Sequence, residues 1–141
     1  MERQLVQIIE HLSAAGYRIT KPRLEILKIL LTTAVPMRVE EIFERIEDKR
    51  INLSSIYRSL QTFTTLGVLK KVNFHEDFSR YELSDHYREH HHHLVCQECG
   101  KIEDYLDCDL ESIMQTAQEK YGFKTTAHDL ELYGVCSRCQ Q

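Results

Sequence analysis

The chain has no tryptophan, two prolines and five glycines, and none of its apolar runs approaches the ~20 residues of a membrane-spanning helix. So few helix breakers exclude a collagen-like or linker-rich chain. Also missing are a His-Glu-x-x-His helix, a glycine-rich phosphate loop and a Gly-x-Ser-x-Gly nucleophile turn. Without these the sequence gives no reason to expect an enzyme. Met1 leads straight into the polar ERQ, with no apolar signal segment, so a cytoplasmic protein without a membrane partner is expected.

The 141 residues are 42% hydrophobic and 28% charged, an ordinary globular composition for one domain or two small ones. The net charge of -4 conceals an uneven distribution. Residues 1–72 carry 12 Lys and Arg against 8 Asp and Glu, whereas residues 73–141 carry 6 against 14. Seven of the eight histidines and all five cysteines lie in the acidic half. That division suits a polyanion-binding module joined to a cation-binding one.

In the basic half, Leu5, Ile8, Ile9 and Leu12 follow the spacing of an amphipathic helix, with Gly16 as its stop. Thr20 and Pro22 open a second helix whose inner face is Leu24, Leu27, Leu30 and Leu31. Val39, Ile42, Phe43 and Ile46 mark a third. A fourth, over 54–66, is capped by Ser54 or Ser55 and buries Ile56, Leu60 and Phe63. Its other face carries Tyr57, Arg58, Gln61, Thr64 and Thr65, side chains that reach phosphates and base edges, with no acidic residue to repel DNA. The stretches VLKKVNF and FSRYEL, either side of a polar turn, then read as two strands. Helices followed by a hairpin give a winged helix-turn-helix, with 54–66 as recognition helix, 68–83 as wing, and Arg18, Lys21 and Arg23 as backbone contacts.

The acidic half centres on four consecutive histidines, His90 to His93, followed by Cys96-x-x-Cys99. On a β-strand alternate side chains point to opposite faces, so His91 and His93 share one side and His90 and His92 the other. One short strand can therefore serve two metal sites. A second knuckle, Cys136-x-x-Cys139, supplies two further thiols, and in a cytosolic protein the pair of knuckles argues for a structural four-cysteine zinc rather than disulfides. Cys108 is left over as an extra ligand, a packed core residue or a free thiol, with packing the first expectation. Between the knuckles the pattern gives strand, helix and strand, with Leu110, Ile113, Met114, Ala117 and Tyr121 on one helical face. The result is a β-β-α-β module of small core, which zinc and an oligomer interface would both help to fold.

Taken together, GYRITKPR at 16–23, SSIYRSL at 54–60, HHHHLVCQECGKIEDY at 90–105 and HDLELYGVCSRC at 128–139 closely resemble the ferric uptake regulator family. The resemblance implies an α+β protein: a winged helix-turn-helix DNA-binding domain over 1–83 and a metal-binding dimerisation domain over 84–141. It implies a homodimeric transcriptional repressor that binds a palindromic duplex operator when metal is bound. Structural Zn(II) would lie on Cys96, Cys99, Cys136 and Cys139. A regulatory hinge site would use Glu82, His91, His93 and Asp104, and an additional site His90, His92, Glu111 and His128. Tyr57 and Arg58 correspond to the family's DNA-contacting pair.

Two departures bear on the regulatory metal. Iron- and peroxide-sensing members place a metal-binding histidine at the start of the third helix, where this chain has Val35, Pro36 and Met37. Zinc-sensing members bring a cysteine where this chain has Asp85, and about two extra residues before the histidine run make Asp85, His86 and Glu89 alternative ligands. A mixed imidazole and carboxylate site accepts Zn(II) or Fe(II), and intrinsic binding strength favours zinc. Zinc-uptake regulation is therefore the first expectation and iron-uptake regulation the alternative. Peroxide sensing, manganese sensing and a metal-binding module without DNA binding come behind them.

Overall fold

Apolar residues spaced three and four apart become four helices in the computed structural model, which describes residues 1–141: α1 (Glu2–Ala14), α2 (Lys21–Thr32), α3 (Val39–Arg45) and α4 (Leu53–Thr65). Gly16 closes α1 at φ +85°, a conformation that costs any side-chain-bearing residue strain, and lets Tyr17 donate back to the Leu12 carbonyl at 2.9 Å. Thr20 caps α2 with Pro22 in its first turn, as the sequence indicates. The cap of α4 is Asn52, whose side chain accepts from the Ser55 backbone N–H at 2.8 Å. That is two and three residues ahead of Ser54 and Ser55, the serines expected to cap it, because a cap must precede the first helical residue and both already lie inside the helix.

Ile8, Leu12, Ile26, Leu27, Ile42, Ile46, Ile56, Leu60 and Phe63 are almost wholly removed from water in one shared core. Each contributes about 1.5–3 kcal/mol by burial, enough in sum to hold four short helices that would be marginal alone. Phe43, expected on the inner face of α3, is 37% exposed. After α4 the chain makes a hairpin of β1 (Leu69–Val72) and β2 (Arg80–Leu83), antiparallel with Leu69 opposite Leu83. Met37 adds a third edge by exchanging two backbone hydrogen bonds with Tyr81, at 3.0 and 2.8 Å.

The chain divides into two units, Met1–Glu89 and His90–Gln141. The seam falls after Glu89 rather than after Leu83, because the intervening residues are bonded into the first unit. Ser84 donates to the carbonyls of Val68 and Gly67, and Gln4 donates to the Tyr87 carbonyl at 2.8 Å.

In the second unit β3 (His92–Cys96), β4 (Ile102–Tyr105), α5 (Glu111–Tyr121) and β5 (Glu131–Gly134) follow in the β-β-α-β order of the sequence reading. The sheet order is β4-β3-β5, with β4 antiparallel and β5 parallel to the central β3. A parallel neighbour requires a crossover, and α5 supplies it. No residue of α5 is buried, and Ile113 and Tyr121 are 62% and 72% exposed. No helix in either unit is long and apolar enough to cross a membrane.

Candidate metal centres and DNA-facing helix

Parallel pairing of β3 with β5 sets Cys96 opposite Gly134 and so carries the second knuckle to the first. Each knuckle is a tight turn: Gly100 donates to the Cys96 carbonyl at 3.0 Å with φ +75°, and Cys139 donates to the Cys136 carbonyl at 3.0 Å. The four sulfurs of Cys96, Cys99, Cys136 and Cys139 lie within 4.8 Å of one another, with Cys99 and Cys136 at 3.8 Å. The edge of a tetrahedron with metal–sulfur bonds of ~2.3 Å is about 3.8 Å, so the donors fit a four-coordinate ion.

The thiol acidities point the same way. Backbone N–H groups of Cys136 and Cys99 bring the Cys96 thiol down to about 6, with the Cys136 N–H at 3.3 Å from its sulfur. Cys99 is lowered by the Lys101 N–H. The Cys139 thiol is pushed up to about 12, because its proton is held against the sulfurs of Cys136 and Cys99. Sulfurs close enough to share a proton in this way are placed to share a cation.

The histidine run divides as a strand must. His90 and His92 stand ring to ring at 4.7 Å, and His91 and His93 at 5.0 Å, both edge-to-face. Register places Asp104 directly opposite His93 on β4 and Glu131 opposite it on β5, with a Glu131 carboxylate oxygen 3.9 Å from His93 Nδ1. His91, His92 and His93 are all buried. Glu131 was not singled out from the sequence, because only the parallel register brings it beside the histidines.

On the other face, His90, His92 and His128 are joined by Cys108, all four donors lying within 4.8 Å of one another. His128 Nε2 is 3.0 Å from His90 Nε2 and 3.2 Å from Cys108 Sγ. Glu111, the expected fourth member, begins α5 and is not in this group. Cys108 is exposed in the loop between β4 and α5 instead of being packed in a core. No local motif announces its role, since the partner it meets lies 20 residues downstream.

In the first unit, Glu82 sits on β2, 3% exposed, between two cations: Arg88 Nη1 at 3.3 Å and Lys70 Nζ at 3.9 Å. Asp85 also faces Lys70, at 3.9 Å. Tyr57 and Arg58 project from the exposed face of α4, Tyr57 being 46% exposed and Arg58 reaching Ser55 at 3.2 Å. Arg18 is exposed just ahead of α2, and Arg23 donates to its carbonyl at 2.6 Å while lying over the Tyr17 ring. Tyr17, Arg23, Arg58 and Gln61 line one open groove between α2 and α4. Its two arginines and its hydroxyl and amide side chains, with no acidic residue among them, are groups able to meet a phosphate backbone.

The model of the ferric uptake regulator family matches residues 14–133. The peroxide-responsive repressor PerR of Staphylococcus aureus is 33% identical, the alignment covering 99% of this chain and 94% of that protein. The ferric uptake regulator of Helicobacter pylori superposes with a TM-score of 0.84 at 28% identity, over 99% of this chain and 93% of its own; its structure is described as having three functional metal-binding sites. The Vibrio cholerae ferric uptake regulator gives a TM-score of 0.75 at 33% identity, over 91% and 98% of the two chains.

Proposed function

The chain belongs to the ferric uptake regulator family of metal-responsive transcription regulators, and from that premise we propose that it is a homodimeric repressor of a palindromic operator, responding first to zinc. The observation that carries the reading is that the match runs through both the basic helical unit and the histidine and cysteine unit. In the first unit α4 offers Tyr57 and Arg58 to the major groove, with Arg18 and Arg23 toward phosphates. In the second, Cys96, Cys99, Cys136 and Cys139 hold a structural zinc that folds a sheet too small to be stable alone. The exposed apolar residues of α5 and β5 form the face that meets a second copy.

The sensed ion is read by Glu82, His91, His93 and Asp104. Ligands drawn from both units would narrow the orientations open to two recognition helices, so that metal shifts a population rather than building a DNA-binding surface. A 100-fold change in operator affinity needs about 2.7 kcal/mol of coupling, within the usual range for allosteric proteins. Zinc stands ahead of iron because an imidazole and carboxylate set binds it more strongly and because the third-helix position holds Pro36 rather than a histidine. His90, His92 and His128 form a further cation site, for which Glu111 was the expected fourth donor.

Likeness to the peroxide-responsive repressor favours a second reading, in which an iron-loaded hinge is released from DNA by peroxide. One experiment separates the two. Duplex selected from a random pool is titrated with protein whose cysteine site is zinc-loaded, in buffered Zn(II) and, anaerobically, in Fe(II), before and after peroxide. Activation at sub-nanomolar free zinc, insensitive to peroxide, supports the zinc reading. Activation by micromolar iron that peroxide abolishes overturns it in favour of the second, and no metal-dependent binding overturns both.

A further inference from the structure

We propose that Cys108, and not Glu111, completes the site of His90, His92 and His128, making it a three-imidazole, one-thiolate centre for a borderline divalent cation, Zn(II) or Co(II). This deepens the reading of that site given above and rests on it. The geometry is convergent. A ring nitrogen has one in-plane direction for a hydrogen bond, yet His128 Nε2 has both His90 Nε2 at 3.0 Å and Cys108 Sγ at 3.2 Å around it. Two donor atoms crowded at one nitrogen suit a shared ion better than a hydrogen bond, and the His92 ring, 4.7 Å from His90 and 5.1 Å from His128, stands beside them with all four ligand atoms within 4.8 Å of one another.

The spacing suits a small tetrahedral ion: two imidazole nitrogens each ~2.0 Å from such an ion stand about 3.3 Å apart. Three different stretches of chain supply the donors. His92 starts β3, His128 lies ahead of β5, and Cys108 lies in the loop that leads from β4 into α5. The Cys108 N–H donates to the Leu106 carbonyl at 3.0 Å, which turns that loop back on itself. A thiolate in place of a carboxylate changes what the site selects. Sulfur moves preference away from Mn(II) and Mg(II) and toward zinc, and binding expels the thiol proton.

The test uses full-length protein with its four-cysteine site filled by Zn(II), titrated with Co(II) under anaerobic conditions. The site as proposed produces a thiolate-to-cobalt charge-transfer band in the near ultraviolet together with the intense visible bands of four-coordinate cobalt. Cys108→Ser should remove the charge-transfer band and weaken binding by more than about tenfold, since loss of an outer-shell partner alone costs 10–100-fold. Glu111→Ala should leave band and affinity unchanged. Glu82→Ala should also keep the band, because the hinge reading involves no sulfur; failure of that reading appears only in operator binding.

Retention of the band in Cys108→Ser, meaning cobalt on the knuckle cysteines, overturns the proposal, as does loss of binding in Glu111→Ala. A second measurement needs no variant: stoichiometric Zn(II) should slow alkylation of Cys108 by iodoacetamide at least about tenfold, read by peptide mass spectrometry. An unchanged rate overturns it equally.

Discussion

Arg88 holds the Glu82 carboxylate by Nη1 to Oε2 at 3.3 Å, while its other nitrogen donates to the Ala34 carbonyl at 2.7 Å. The guanidinium is anchored at one end and neutralises a buried carboxylate at the other. In the hinge reading that carboxylate is a ligand, so an incoming cation competes with a cation already there. Arg88→Ala should therefore tighten binding of the sensed ion, by up to about tenfold, or about 1.4 kcal/mol. Competition against a chromophoric chelator, with the cysteine site kept zinc-loaded, measures it. Unchanged or weaker binding would mean that Glu82 keeps its arginine when the ion is bound.

The two faces of α4 should respond to mutation in opposite ways. Leu60 is fully buried, and Leu60→Ala should cost about 2–5 kcal/mol in urea unfolding. Arg58 and Tyr57 are exposed, so Arg58→Ala and Tyr57→Ala should leave stability within about 0.5 kcal/mol of wild type. Both should weaken operator binding, and Arg58→Ala should lower the slope of log affinity against log salt by about one. An Arg58→Ala protein that binds operator as tightly as wild type would remove α4 from the interface.

Asp48 accepts both Arg50, at 2.9 Å from two nitrogens, and Lys21 at 3.0 Å, tying the start of α2 to the loop before α4. The Arg50 hydrogen bond, then that of Lys21, holds the Asp48 carboxyl well below the usual carboxylate range. A lowered folded-state pKa gives stability that is complete above the unfolded value, near 4, and fades as pH falls below it. Asp48→Asn should thus be less stable than wild type from pH 5 to 8, with the gap closing below about pH 4. Equal stabilities at pH 7 would show that these exposed pairs contribute nothing.

Much of this was legible in advance, for reasons that also show where legibility stops. Helix positions followed from the spacing of Ile8 and Leu12, or Ile56, Leu60 and Phe63, since period and core face are both written locally. The knuckles were legible because a Cys-x-x-Cys turn brings its two sulfurs to one ion by itself. The pairing of His91 with His93 follows from the pleat. By contrast, Cys108 beside His128 and Glu131 beside His93 depend on the β4-β3-β5 order and a parallel register, which no spacing encodes. Asn52 was passed over as a cap because Ser54 and Ser55 are equally good cap residues, and choosing among them needs the helix start.

If the four-cysteine cluster holds the zinc proposed for it, removing that ion should unfold the second unit before the first. The second unit has almost no buried apolar residue apart from Cys96, whereas the first has the whole aliphatic core. Zinc held by such knuckles contributes about 10–16 kcal/mol of apparent binding energy, more than the stability of a small domain. Cys139→Ser, or a strong chelator, should abolish amide protection in β3 to β5 while leaving α1 to α4 protected in hydrogen exchange. Retained protection across β3 and β5 would mean the sheet stands without its staple.

Exposed apolar residues of the second unit point to a covered surface. Ile113, Tyr121, Phe123 and Leu132 are 62%, 72%, 64% and 46% exposed, and α5 buries none of its residues. Single exposed apolar residues are common, but several within one small unit mark a surface that is covered in the working protein. If a second copy covers it about a two-fold axis, each substitution enters the interface twice. Ile113→Glu then places two carboxylates in it, each costing a few kcal/mol when buried unpaired, and should raise the dimer dissociation constant at least about 100-fold. Sedimentation velocity would show a monomer at concentrations where the wild type is dimeric. Because Ile113 lies on α5, apart from the cysteine cluster, zinc content should stay the same, separating loss of the dimer from loss of the fold. A variant that sediments as the wild type does would move the interface off α5.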